Sequence, residues 1–345
     1  MSNLSRLGEG DITKQQTGLN APTERPLTEA VSPSIEGPRL HKPGVAGSSP
    51  AAAIGNASLS FSEALEAYHS DREWWSKSQL WTLYDQGPEF FHARYLAGTL
   101  DSTPSPAMER GTRAHEWAEN PEAWWDRVVE IPASSLGKDG RWTKATDEFF
   151  FKAKSERQDC ICLSAEDIAD YKQQFQKLLD NATFRALSEE TEHREFSIRW
   201  QDTITGTKLR CRPDACTETV MWDLKTTRDK NPQKTFWKAV VDYGYAFQQV
   251  LYTEGARAAG INVKQFVFMV TSTVAPFRCH AVVLPEQLVD QARRQVRTVV
   301  ADLGNRLALE DWQPEDGGQI TTLFVPKWIT KEAGNGSGSR DSWSE

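Results

Sequence analysis

The stretch from Pro213 to Lys225 constrains this chain more than any other: Pro213-Asp214, a gap of eight residues, then Asp223-Leu224-Lys225. Within the gap, Thr217-Glu218-Thr219 supplies a polar break and Val220-Met221-Trp222 begins an apolar run. That is the pattern of a turn leading into a buried strand. Side chains alternate faces along a strand, so Asp223 and Lys225 point one way while Leu224 points into the core. A preceding strand from Thr207 to Arg212 ends beside Asp214, which brings two carboxylates and one ammonium together. Two hard oxygen donors suit Mg²⁺ or Mn²⁺, and a lysine within reach of an attacked phosphate completes what metal-assisted phosphodiester hydrolysis requires. Taken alone, the same residues also read as an ordinary turn and a solvated Asp-Lys pair.

Residues on both sides add weight. His115 falls on a helix expected from Pro106 to Glu119, four residues after Gly111 and on the same face. A small residue there lets the helix approach the sheet, and the imidazole then reaches a metal; the plain alternative is a surface or capping histidine. Glu195, at the start of an expected strand, offers a third acid or else a solvated charge in the run from Glu189. Gln248 and Tyr252 are one helical turn apart and could contact a phosphate or simply form a helix surface.

The periodicity predicts helices first and then β-β-β-α-β-β and a final helix. Ser60 with Glu63 predicts a capping box and a helix through Tyr68; Ser76 with Gln79 predicts another over Lys77 to Asp85, stopped by Gly87-Pro88. Ser164 caps a helix whose stripe Ile168, Tyr171, Phe175 and Leu178 faces the core. Strands follow over Glu195–Gln201, Thr207–Arg212 and Val220–Lys225. One long helix is expected from Thr235 to Ala259, closed by Gly260. Strands over Gln265–Thr271 and Phe277–Leu284 precede a helix from Pro285 to about Leu309.

Residues 1–56, rich in Ser, Pro and Gly, are expected to be a disordered arm, 57–329 the folded domain with a helical N-terminal part, and 330–345 a flexible tail. Thirteen tryptophans are ample for a core. The five cysteines include no Cys-x-x-Cys pair, which argues for reduced structural thiols rather than a metal-thiolate or iron-sulfur site. Met1 to Asp11 is polar, and no run approaches the ~18 apolar residues of a membrane span, so a soluble, cytoplasmic protein is expected. A net charge of −8 argues against a protein that coats nucleic acid but not against an enzyme with a local basic cleft. There is no Gly-x-Ser-x-Gly elbow, His-Glu-x-x-His or Walker loop.

In order, Gly-Thr-x-x-His, Glu, Arg-Pro-Asp, Asp-Leu-Lys-Thr-Thr and Gln-x-x-x-Tyr resemble the PD-(D/E)XK nuclease superfamily in its RecB-type branch, and more narrowly the exonuclease VIII family of recombination exonucleases. The helix at Ser76-Lys77-Ser78-Gln79-Leu80 is similar to that family's opening segment, with Gly87 where the family has a serine. The resemblance spans roughly residues 59 to 285. It implies an α/β, restriction-endonuclease-like core: a central mixed sheet flanked by helices. It also implies Mg²⁺-dependent 5′→3′ digestion of linear duplex DNA in recombination or repair, a single-strand annealing protein as partner, and homo-oligomeric rings. His115, Asp214, Asp223 and the Leu224 carbonyl would hold the metal, Lys225 would orient the attacking water or stabilise charge on phosphate, Glu195 would assist through a second metal or a bound water, and Gln248 and Tyr252 would hold the substrate backbone. A structure-specific or restriction-type endonuclease, or a catalytically silent DNA-binding protein, are the alternatives.

Overall fold

The computed structural model describes residues 53–54, 57–100, 103, 105–314 and 322. The arm expected over 1–56 lies outside the described residues except for Ala53–Ile54 (β1), which pairs with Ala57–Ser60 (β2). The tail over 330–345 lies outside them entirely.

Helix α1 (Leu65–Ser70) starts later than the expected capping box places it, because Ser60 ends β2. Glu63 is drawn away instead: its two oxygens accept from the Arg199 guanidinium at 2.9 and 2.5 Å. A bidentate charged pair outweighs one capping bond. The box at Ser76 does form. Gln79 Oε1 accepts the Ser76 N–H at 2.8 Å and opens α2 (Lys77–Gln86), and Gly87-Pro88 separates it from α3 (Pro88–Phe91). Ser105 caps α4 (Pro106–Glu119) and Asn120 caps α5 (Pro121–Asp126), each helix with proline at its first position. A parallel pair, β3 (Val128–Glu130) and β4 (Ile161–Leu163), brackets α6 (Lys144–Glu156). Ser164 Oγ accepts from Asp167 N–H at 3.1 Å to start α7 (Ala165–Asp180), and α8 (Ala182–Glu190) follows.

The three strands expected between Glu195 and Lys225 are five: β5 (His193–Arg194), β6 (Ser197–Gln201), β7 (Lys208–Cys211), β8 (Ala215–Cys216) and β9 (Val220–Thr227). The two breaks fall at Glu195, whose φ is 47°, and at Pro213-Asp214. At each, the chain leaves one sheet for another. β6 and β7 belong to an antiparallel sheet of order β1-β2-β6-β7. β5, β8 and β9 belong to a mixed five-stranded sheet of order β11-β10-β9-β8-β5, completed by β10 (Gln265–Ser272) and β11 (Cys279–Val282).

β9 and β10 run parallel, joined by a helical crossover as parallel strands require. The crossover is two helices, α9 (Pro232–Asp242) and α10 (Tyr245–Ala258), not the single one expected. Gly244 breaks it: its φ is 60°, and a Cβ there would stand 2.3 Å from the Trp81 ring. Helix α11 (Glu286–Leu309) ends the described fold. None of the described helices is long and apolar enough to cross a membrane.

The five-stranded sheet is buried on both faces, so its central strands are apolar almost throughout. Met221, Phe266, Phe268 and Val270 pack toward α2, α10 and α11. Trp222, Leu224, Val267 and Met269 pack toward α4, α7 and α8, where Trp117 stacks on Phe175 at 4.0 Å. The expected stripe of α7 faces this second core: Tyr171, Phe175 and Leu178 are buried and Ile168 packs against it. Among the early aromatics, Phe91 is wholly buried, whereas Tyr84 remains 44 % exposed.

Candidate active site

Strand β8 is two residues long and pairs with β9 only through Ala215–Trp222 and Cys216–Met221. Beyond Trp222, no strand among the described residues flanks β9 on that side, and the Asp214 side chain takes the place of one: its Oδ2 accepts the Leu224 N–H at 2.7 Å. The N–H and C=O of one strand residue point to the same side, so the Leu224 carbonyl faces the same gap. His115 arrives from α4 with Nδ1 3.0 Å from Asp214 Oδ2. Gly111, one turn earlier, faces β9, but the approach does not require a glycine: a Cβ there would make an ordinary contact, 3.4 Å from Thr226 Oγ1.

Glu195 faces Asp214 across the seam between the sheets, its N–H donating to the Asp214 carbonyl at 3.0 Å. Its Oε2 accepts from Arg212 Nε at 3.0 Å, and Arg212 Nη1 also donates to Ser197 Oγ and the Glu63 carbonyl. Arg212 was given no role by the sequence reading, although it precedes Pro213-Asp214 directly; a cation beside an acidic motif was the available signal. Ligand atoms of His115, Glu195 and Asp214 all lie within 4.8 Å of one another. The three, with Leu224, Arg194 and Trp222, line one cleft.

Asp223 and Lys225 sit on the face of β9 that meets α10. Asp223 is 2 % exposed; Oδ2 accepts from Gln248 Nε2, and Oδ1 meets the Lys225 ammonium. Lys225 Nζ in turn lies 5.0 Å from the centre of the Tyr245 ring. Asp223 is therefore not among the three mutual neighbours around Asp214, because strand alternation turns its side chain toward α10 and two donors hold it there. Gln248 and Tyr252, expected on a substrate-facing helix surface, turn inward. Gln248 supplies the hydrogen bond that the buried Asp223 needs, and Tyr252 packs against the core with Phe266. Tyr245, one turn before Gln248, is a further site residue that helical spacing alone could have marked.

The electrostatics divide the acids. Burial raises Asp214, but the charge and hydrogen bond of His115, the charge of Lys225 and the Leu224 N–H outweigh it and hold the carboxyl below its ordinary value. Burial and the nearby Asp214 push Glu195 up to about 7 against the pull of Arg212. The same two causes raise Asp223, opposed by Lys225 and His115. Burial disfavours the His115 imidazolium, yet Asp214 carries it up to about 8. Lys225 is likewise held above its ordinary value by Asp223 and Asp214 in spite of burial.

A divalent cation fits this donor set. One imidazole nitrogen and two carboxylates converge, and the two acids lack enough positive charge for both to ionise freely. Asp223 Oδ1, buried, makes no hydrogen bond beyond its ion pair with Lys225.

A mixed sheet with helices on both faces, bearing Pro-Asp at a sheet switch and Asp-x-Lys on the adjoining strand, defines the PD-(D/E)XK class of nuclease fold. The chain belongs to the family described as a PDDEXK-like domain of unknown function (DUF3799), whose model matches residues 76–323. The narrower likeness to the exonuclease VIII branch is not carried by this match. Among solved structures, the chain is similar to one from Eubacterium rectale described as a "Putative exonuclease". The two share 12 % identity with a TM-score of 0.51, covering 80 % of this chain and 100 % of the other. That likeness is one of fold. No curated protein matches the sequence.

Proposed function

We propose that this chain is a Mg²⁺-dependent deoxyribonuclease, with Mn²⁺ able to substitute, that degrades linear duplex DNA from its ends in the 5′→3′ direction during recombination or repair. The observation that carries the reading is the meeting of His115, Glu195 and Asp214 at the β9 edge with Asp223 and Lys225 on the same strand. His115, Asp214 and Glu195 would hold the ion, with the Leu224 carbonyl and Asp223 adjoining it. When bound, a divalent ion supplies Lewis acidity and lowers the pKa of a coordinated water, worth several kcal/mol of transition-state stabilisation.

The chain's own groups do the rest. Lys225 places a fixed positive charge, largely shielded from water, where negative charge grows on the phosphate. Gln248 fixes the Asp223 carboxylate, and Arg212 fixes Glu195. Glu195, beside Asp214 and aligned by Arg212, is placed to accept a proton from an attacking water. End-dependence, polarity, an annealing partner, a ring-shaped oligomer and cytoplasmic location belong to this proposal through the resemblance to the exonuclease VIII family.

The test uses purified protein and its Lys225→Ala variant on 5′-labelled linear duplex and closed circular DNA, with Mg²⁺ or EDTA. Mg²⁺-dependent loss of linear DNA alone, absent in the variant, is expected. Cutting of the closed circle would move the assignment to an endonuclease. No cleavage of either by the wild type would remove the catalytic reading.

A further inference from the structure

Lys77 lies within the opening segment at residues 76–80, but no role has been assigned to its side chain. It is the first residue of α2, yet its side chain folds back over the site. Its ammonium donates to the Tyr243 carbonyl and stands 5.6 Å from the Trp81 ring centre and 5.8 Å from that of Tyr245. Lys225 stands 5.0 Å from the same Tyr245 ring. The two cations thus both lie close to one aromatic ring. They differ in partners. Lys225 has Asp223, whereas Lys77 forms an ion pair with no acid among the described residues. A half-buried cation beside a second cation is costly unless an anion joins them. Burial and the charge of Lys225 accordingly pull Lys77 down to about 7. Beside it opens a groove of about 260 Å³ lined by Trp81, Tyr84, Val241, Gly244 and Leu288, with Asp85 its single acid.

We propose that Lys77 is a second phosphate-binding cation of this site, gripping the backbone phosphate next to the one that faces Lys225. The inference rests on the nucleic-acid reading above and adds to it a residue, a ligand group and a direction: the substrate strand leaves the scissile position toward the N-terminus of α2. A phosphate there would take over the Lys77 ammonium from the Tyr243 carbonyl, and the rest of that nucleotide has the groove to occupy.

The experiment measures binding rather than turnover. Labelled duplexes of several sequences are titrated with wild type, Lys77→Ala and Lys77→Arg in EDTA over a series of KCl concentrations. Thermal unfolding confirms that the variants are folded. For Lys77→Ala the slope of log affinity against log salt should fall by about one, with equal weakening for every sequence, as loss of one phosphate contact requires. Lys77→Arg should keep the slope. An unchanged slope and affinity in Lys77→Ala, with cleavage by the wild type intact, would overturn the role of Lys77 and leave the nuclease reading standing. Absence of both salt-dependent binding and cleavage in the wild type would overturn both.

Discussion

The N–H of Glu195 donates to the carbonyl of Asp214 at 3.0 Å, so the two acids of the site are set beside each other by their own backbones. Their backbones cannot separate without breaking the place where the two sheets meet. Burial raises the Glu195 pKa and the nearby Asp214 adds to it, a proximity set by strand pairing.

Stability should therefore depend on pH in a defined direction. The folded Glu195 carboxyl titrates near 7 against 4.5 in an unconstrained glutamate. Between those values the folded chain keeps a proton that the unfolded chain has lost, so stability falls as pH rises through this window. His115, raised from 6.5 to about 8, contributes stability that is full below 6.5 and is lost as pH rises through 8. Metal-free protein should then lose more stability on going from about pH 5 to about pH 8 than Glu195→Gln does, by on the order of 2 kcal/mol. Urea unfolding at both pH values in EDTA measures it, and equal losses in the two proteins would contradict the assignment.

Metal affinity should follow the three-ligand grouping. Calorimetric titration with Mn²⁺ is expected to show binding by the wild type, weakened at least about tenfold in Asp214→Asn and in His115→Ala. Gln248→Ala, which removes a donor to Asp223 but none of the three grouped ligands, should weaken it less. A larger effect from Gln248 than from Asp214 would place the ion on the α10 face instead.

Asp223 and Lys225 form a nearly buried pair, and breaking it should cost more than replacing it. Lys225→Ala leaves a buried carboxylate with only Gln248 for company, at a cost of about 3 kcal/mol, whereas Asp223→Asn with Lys225→Met should cost less than the sum of the single changes. Denaturant unfolding of the four proteins closes the cycle; strict additivity would mean that the pair does not interact in solution.

Gly244→Ala should destabilise the fold by about 1–3 kcal/mol, through a left-handed φ and the collision with Trp81. Calorimetry would read this as a lowered Tm, and an unchanged Tm would mean that α9 and α10 join differently.

Much of this architecture was legible in the chain. The Ser76 and Ser164 caps, the stripe of α7, the strand carrying Asp-Leu-Lys and its parallel partner all follow from local pattern, because each is decided by residues within a few positions. The helix break at Gly244 was not legible, since a lone glycine inside an apolar repeat is tolerated and its reason here is Trp81, some 160 residues away in sequence. Nor were β5 and β8, which lie outside the expected strands Glu195–Gln201 and Thr207–Arg212 and pair with each other beyond Glu195 and Pro213-Asp214. Each is two residues long, too short to leave a periodicity of its own. At the site, residue types could nominate His115, Asp214, Asp223 and Lys225. They could not say that Asp223 faces Gln248 while Asp214 faces His115, a division made by the edge of a two-residue strand. Lys77 and Arg212 lie within the quoted segments at residues 76–80 and Arg-Pro-Asp, but the roles of their side chains come from tertiary packing.

The junction at Glu195 and Asp214 also governs when the site can exist during folding. Its parts come from α4, from the turn after β5, from the turn before β8 and from β9, positions spread from residue 115 to residue 225. Glu195 and Asp214 face each other across one long hairpin, in the register shared by β6–β7 and β5–β8, but His115 and β9 reach them only through long-range packing. A partly folded chain, even one with its helices in place, has no assembled centre. The centre is complete only where α4 and β9 pack against that hairpin, a long-range contact that local structure alone does not supply.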